Sequence, residues 1–265
     1  MVRIGPHVHD EDPLPAALST DSPVVQFFLG DPQGWAAPKF PGGDPAALRA
    51  ALAGAGVSAY IHAPYRINVA STNNRIRIPS RKLLGQYLEG AAQIGATGVI
   101  VHGGNVTADA DAAEGYENWA KATARIDRPV PMLIENTAGG GGQAMARGLD
   151  GVARLWEAIG DAGDSRGEVG FCLDTCHAYA SGEELTGIVD RVKAITGRID
   201  LVHCNNSRDE FGSSRDRHAG MTQGTIDPNV LAGLIRAVGG DVICETPDPP
   251  ADIAWLREHL GGKQD

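Results

Sequence analysis

The stretch Gly170–Ser181, GFCLDTCHAYAS, decides how the chain is read. Its opening, Val169 to Leu173, is an apolar run short enough for a strand buried on both faces, and it stops on Asp174 with His177 three residues later. Five other apolar runs end in the same manner: SAYIH on His62, GVIVH on His102, PMLIE on Glu135, IDLVH on His203 and DVICE on Glu245. Two further runs, VRIG before His7 and His9 and VVQFFLG before Asp31, Gln33 and Trp35, complete a set of eight.

Each run is followed by a helical pattern or by a segment long enough to hold one. The patterns fall at 44–55, 80–94, 108–125, 143–159, 183–195, 228–238 and 252–260. Strict alternation of strand and helix implies parallel pairing, and eight units close a (β/α)8 barrel, with a doubly wound open sheet as the competing architecture. No composition shift marks a second domain, so residues 1–265 are expected to form a single TIM-barrel domain. In such barrels the site lies at the carboxyl ends of the strands. The His, Asp and Glu residues stand at those ends.

The amino terminus, MVRIGPHVHDED, lacks the basic-then-apolar pattern of a signal peptide, and no apolar run is long enough to span a bilayer. A cytoplasmic protein with no membrane association is expected. Cys172, Cys204 and Cys244 lie inside strand-like runs and Cys176 follows one, as suits reduced thiols packed as small hydrophobes. The net charge of −10 argues against a nucleic-acid partner only if taken alone. Three dications would bring it to −4, placed where a phosphate would bind.

Burying several carboxylates and imidazoles around one barrel mouth is costly unless a cation joins them, and this donor set suits zinc, manganese or iron. The loop Arg208 to His218, RDEFGSSRDRH, adds Asp216 and His218 at a spacing that lets both reach one ion. The candidate ligands are then His62, His102, Glu135, Asp174, His177, His203, Asp216, His218 and Glu245, enough for two or three ions.

Through HAPY, VIVHGG, ENTAG, GFCLDTCH, LVHCNNS, DRH and CET the chain resembles the endonuclease IV type of apurinic/apyrimidinic DNA endonuclease. The resemblance implies three zinc ions. His62 and His102 would hold one, Asp174, His203 and Glu245 a second, with Glu135 bridging the two as the catalytic carboxylate. His177, Asp216 and His218 would hold the third. It further implies cleavage of duplex DNA on the 5′ side of an abasic site. No protein partner is evident in the sequence, and a monomer is expected. Such ions would make water a usable nucleophile near neutral pH and neutralise charge on the phosphoryl oxygens.

Between Ile61 and Leu88 there are Arg66, Arg75, Arg77, Arg81 and Lys82 and no acidic residue, with Tyr65 directly after a ligand strand. Tyr65, Arg75, Arg77 and Arg217 are the expected DNA contacts, joined by Asp31 and Gln33 of the second loop. The glycine loop from Asn136 to Gly142 is able to approach a backbone closely. Four departures from the family pattern stand out: His9 with Asp10, Glu11 and Asp12 in a first loop that is usually neutral, Asp31 for Asn, Asn206 for Asp, and Thr222-Gln223-Gly224 after DRH. Two other readings share the barrel or the substrate: a divalent-metal sugar isomerase or epimerase, which would leave His177, Asp216 and His218 idle, and a damaged-DNA-binding protein that no longer cuts.

Overall fold

The computed structural model describes residues 2–9, 12–139, 142–160 and 166–261. Its centre is a closed barrel of eight parallel strands, in chain order Arg3–Val8, Val24–Phe28, Ser58–His62, Gly98–His102, Met132–Glu135, Val169–Asp174, Leu201–His203 and Asp241–Cys244. The first strand closes on the last in the register Arg3↔Asp241 to Pro6↔Cys244. All eight expected runs are strands.

Strand side chains alternate between the helix-facing side and the barrel interior. The interior floor is one apolar layer made of Val24, Tyr60, Ile100, Leu133, Cys172, Leu201 and Ile243. Two residues further along each of those seven strands comes Gln26, His62, His102, Glu135, Asp174, His203 and Glu245. The polar layer therefore rests directly on the apolar one. On the first strand the corresponding pair is Gly5 and His7, and the glycine is required because a Cβ there would meet Val24 O at 1.7 Å. Below the floor, Arg3 donates to Asp241 Oδ1 at 2.7 Å and Tyr60 OH donates to Asp241 Oδ2 at 3.0 Å, which satisfies the buried polar groups at the amino end.

Outside the strands lie α1 (Pro13–Ser19), α2 (Pro45–Gly54), α3 (Asn74–Gln93), α4 (Ala112–Thr123), α5 (Gly148–Ile159), α6 (Thr175–Ser181), α7 (Ile188–Thr196), α8 (Pro228–Val238) and α9 (Pro249–Gly261). Asp12, Asp44, Asn73, Asp111 and Asp227 cap five of them with side-chain acceptors. Two short helices, α1 and α6, escape the periodicity reading because seven residues give too few turns. Helix α3 begins six residues before the expected start at Ser80, with Pro79 inside it. Arg77 explains the extension, since its guanidinium bonds Ser71 O at 2.7 Å and Thr72 O at 3.1 Å and braces the first turn. Helix α5 starts later than residue 143 because Gln143–Ala144 pairs antiparallel with Asn105–Val106. The start expected at 183 for α7 moves to Ile188. The loop 206–219 is closed by a second small ladder, Asn206–Ser207 against His218–Ala219. The four cysteines are buried and free, and no helix is long and apolar enough to cross a membrane among the described residues.

Candidate metal centre

Glu135 ends the fifth strand and is fully buried, which would raise its pKa. Imidazoles of His203, His102 and His177 outweigh that burial and hold it well below the usual carboxylate range. Its Oε2 lies 3.4 Å from His62 Nε2 and 3.3 Å from His102 Nε2, while Oε1 lies 3.2 Å from His203 Nδ1. His62, His102 and Glu135 form one ligand group, and Glu135, Asp174, His203 and Glu245 form another, so one carboxylate belongs to both. A third set gathers on Asp216 Oδ1, which lies 3.1 Å from both His177 Nε2 and His218 Nε2. All nine sequence-derived ligand candidates therefore meet at one mouth. Asp216 is half exposed, the others buried or partly so.

The tautomers are set from behind. His62 Nδ1 bonds its neighbour's carbonyl, Ala63 O, at 2.8 Å, His177 Nδ1 bonds Asn136 O at 2.9 Å, and His218 Nδ1 bonds Glu245 O at 3.2 Å. His203 Nε2 bonds Gln26 Oε1 at 2.8 Å. In His62, His203 and His218 the nitrogen that donates points away from the cluster, which leaves a lone pair on the other nitrogen aimed inward; His177 Nδ1 also lies 3.2 Å from Glu135 Oε1, while its Nε2 faces Asp216. This is the usual preparation of a metal-binding imidazole. Glu135 Oε2, His177 Nε2 and His218 Nε2 are buried without a hydrogen-bond partner although they approach other polar atoms closely. Converging donors that do not bond one another fit a shared cation. Cys176 also comes within reach of Asp216 and His218, but burial pushes its thiol up to about 12, so it stays protonated.

Three buried residues complete the centre that a search for His, Asp and Glu misses. Gln26 also donates from Nε2 to Glu245 Oε1 at 2.7 Å and to His7 Nδ1 at 2.8 Å. Asn205 Nδ2 donates to Asp174 Oδ2 at 2.7 Å, and its Oδ1 accepts from Glu245 N at 2.9 Å. The Asn136 side chain spans to both backbone groups of Asp174, at 2.8 and 2.9 Å. The signal for Gln26 was present in VVQFF: a polar side chain inside an all-buried run must face a polar interior. His7, which burial depresses to a pKa of about 3, is the neutral acceptor for that amide.

The expected DNA-facing residues divide. Tyr65 stands at the rim, its ring 5.3 Å from that of His62 and 5.6 Å from that of His102. Arg75 is exposed and pairs with no carboxylate among the described residues. Arg77 is consumed in bracing α3. Arg217 is held by Asp209, which accepts from its Nε at 2.7 Å, so it is not a free cation. Asp31 Oδ1 accepts from Gln33 N at 2.8 Å and so closes its own turn, while Gln33 O accepts from Arg66. In the first loop Asp12 caps α1, and Asp10 and Glu11 lie outside the described residues, as do Gly140 and Gly141 of the glycine loop. Asn206 is fully buried behind the ligand loop. Its Nδ2 donates to Met221 O and Ile226 O, and its Oδ1 accepts from Ile226 N. An amide satisfies both carbonyls where a carboxylate would not, so this departure from the family pattern is a matter of loop support.

Comparison with known proteins agrees with this geometry. A family described as the xylose isomerase-like TIM barrel matches residues 15–261. A relative from Mycobacterium tuberculosis (strain ATCC 25177 / H37Ra), named probable endonuclease 4, is 56% identical over 260 residues, 97% of this chain and 99% of its own length. The crystal structure of endonuclease IV from Thermus thermophilus superposes with a TM-score of 0.78 at 29% identity, covering 98% of this chain and 97% of that one. The chain belongs to the endonuclease IV family. A D-tagatose 3-epimerase-like protein shares the fold with a TM-score of 0.76 but only 18% identity. An endonuclease IV relative at this level of identity makes a nuclease the enzyme class, with the His, Asp and Glu groups as its candidate metal site.

Proposed function

We propose that this chain is a zinc-dependent AP endonuclease that hydrolyses the phosphodiester 5′ to an abasic site in duplex DNA, in base excision repair. The observation that carries the reading is the Glu135 carboxylate shared by two ligand groups, with a third set gathered on Asp216. His62, His102 and Glu135 would hold one ion, Glu135, Asp174, His203 and Glu245 the second, and His177, Asp216 and His218 the third. Bound ions would offset charge on the phosphodiester and make water a usable nucleophile near neutral pH.

The chain's own part is preorganisation. Gln26, Asn205 and the backbone carbonyls fix each ligand before the substrate arrives, so little reorganisation is needed during reaction. The apolar layer two residues below shuts water out from beneath. Tyr65 covers the edge of His62 and His102, and Arg75 supplies a free cation for a neighbouring phosphate. The epimerase reading has the shared fold in its favour, but that chemistry has no use for the group on Asp216.

The deciding experiment incubates the protein, purified without chelator, with an end-labelled duplex carrying one abasic site. Elemental analysis should return three ions per chain, and the labelled strand should shorten to a product with a 3′ hydroxyl. Intact duplex after incubation with metal-loaded protein, or one ion per chain, would remove this reading.

A further inference from the structure

Beside the metal centre, and separated from it by Tyr65, runs an open groove of about 920 Å³ between the second-strand loop and helix α3. It is lined by buried Leu83, by Arg66, Arg75 and Lys82, and by the exposed indole of Trp35. The chain carries a net charge of −10, yet no carboxylate lines this groove among the described residues. Arg75 and Lys82 pair with none elsewhere among those residues, and Arg66 is engaged only by the Gln33 carbonyl.

We infer that this groove binds an unpaired nucleotide of a DNA strand, stacked on Trp35 with its phosphates on Arg75 and Lys82. A double helix is too broad to enter a concave space of this size, whereas one or two nucleotides fill it. An aromatic face combined with cations and without sequence-reading carboxylates is the chemistry of single-strand binding. Gln86, also lining the groove, offers an amide to a base edge. Tyr65 is the common wall, so a nucleotide seated here continues directly toward His62 and His102. The inference rests on the proposed DNA substrate and adds a subsite to it.

Fluorescence anisotropy with a labelled octathymidylate and with a blunt undamaged duplex tests it on the metal-loaded protein. Trp35→Ala should lower affinity for the single strand roughly five- to a hundredfold. The ratio of single-strand to duplex affinity should fall with it. Lys82→Glu, an exposed position, should shift the ratio in the same direction. Octathymidylate should quench the wild-type tryptophan emission more than that of Trp35→Phe. An unchanged ratio, or equal quenching, overturns the groove. Incision of the abasic duplex by the wild type, measured alongside, separates the two ideas: incision with an unchanged ratio removes the subsite alone, and a shifted ratio without incision removes the proposed reaction alone.

Discussion

Gln26 Oε1 accepts the Nε2 proton of His203 at 2.8 Å, and the same amide donates to Glu245 at 2.7 Å, so one uncharged residue orients two ligands of one group. Its remaining N–H goes to His7 Nδ1. Replacing it with leucine leaves three buried polar partners unsatisfied. Gln26→Leu is expected to weaken metal binding about ten- to a hundredfold and to destabilise the fold by about 1–3 kcal/mol. Competition with a chromophoric chelator and urea unfolding measure the two effects, and wild-type values in both would deny Gln26 this role.

Glu135→Gln removes the charge shared by two ligand groups while keeping the shape. Incision of an abasic duplex should drop by about a thousandfold or more, equivalent to several kcal/mol of lost charge stabilisation, with DNA binding retained. Single-turnover rates and a binding titration check both halves. Turnover near the wild-type rate would exclude Glu135 as the bridging carboxylate.

Burial alone would lower the pKa of His218, but Asp216, Asp174 and Glu245 raise it to about 9 in the metal-free protein. The proton it gains on folding stabilises the metal-free fold fully below about pH 6.5, and that contribution is lost as pH rises through about 9. A bound cation replaces the proton, so the metal-loaded fold should not share the loss. The Tm difference between loaded and stripped protein should therefore widen from pH 7 to pH 9. Scans at both values decide the matter, and a constant or shrinking gap runs against it.

Arg75 is free of carboxylates among the described residues, and Arg217 is paired with Asp209. Arg75→Ala should reduce the slope of log affinity against log salt by roughly one unit. The change for Arg217→Ala should be smaller. Titrations from low to moderate salt test this, with the reverse order of effects as the contrary result.

Asp31→Asn keeps the acceptor that closes the turn at Gln33 and deletes a charge on the rim. If phosphate passes within about 4 Å, its removal is worth on the order of 1 kcal/mol, and duplex affinity at low salt should rise up to about tenfold. Unchanged affinity would mean that the carboxylate faces only solvent.

Much of this centre is a local property of the sequence. A strand's side chains repeat every two residues, so an apolar run that ends in His, Asp or Glu already puts that group one layer above an apolar neighbour, as Leu133 and Glu135 or Cys172 and Asp174 do. Eight apolar runs, six of them ending so, in alternation with helices point to the barrel, and strand closure decides it against an open sheet. What sequence alone did not decide is nonlocal. Gln26, Asn205 and Asn136 carry no metal-binding signature, and they became part of the centre only when strand closure and register brought their layers level. The same holds for the cations: Arg75, Arg77 and Arg217 are equivalent as letters, and packing alone left the first free, spent the second on α3 and tied the third to Asp209. The periodicity of a strand is fixed by its own backbone, whereas the partner that a buried polar group or an exposed charge finds depends on chain segments up to hundreds of residues away.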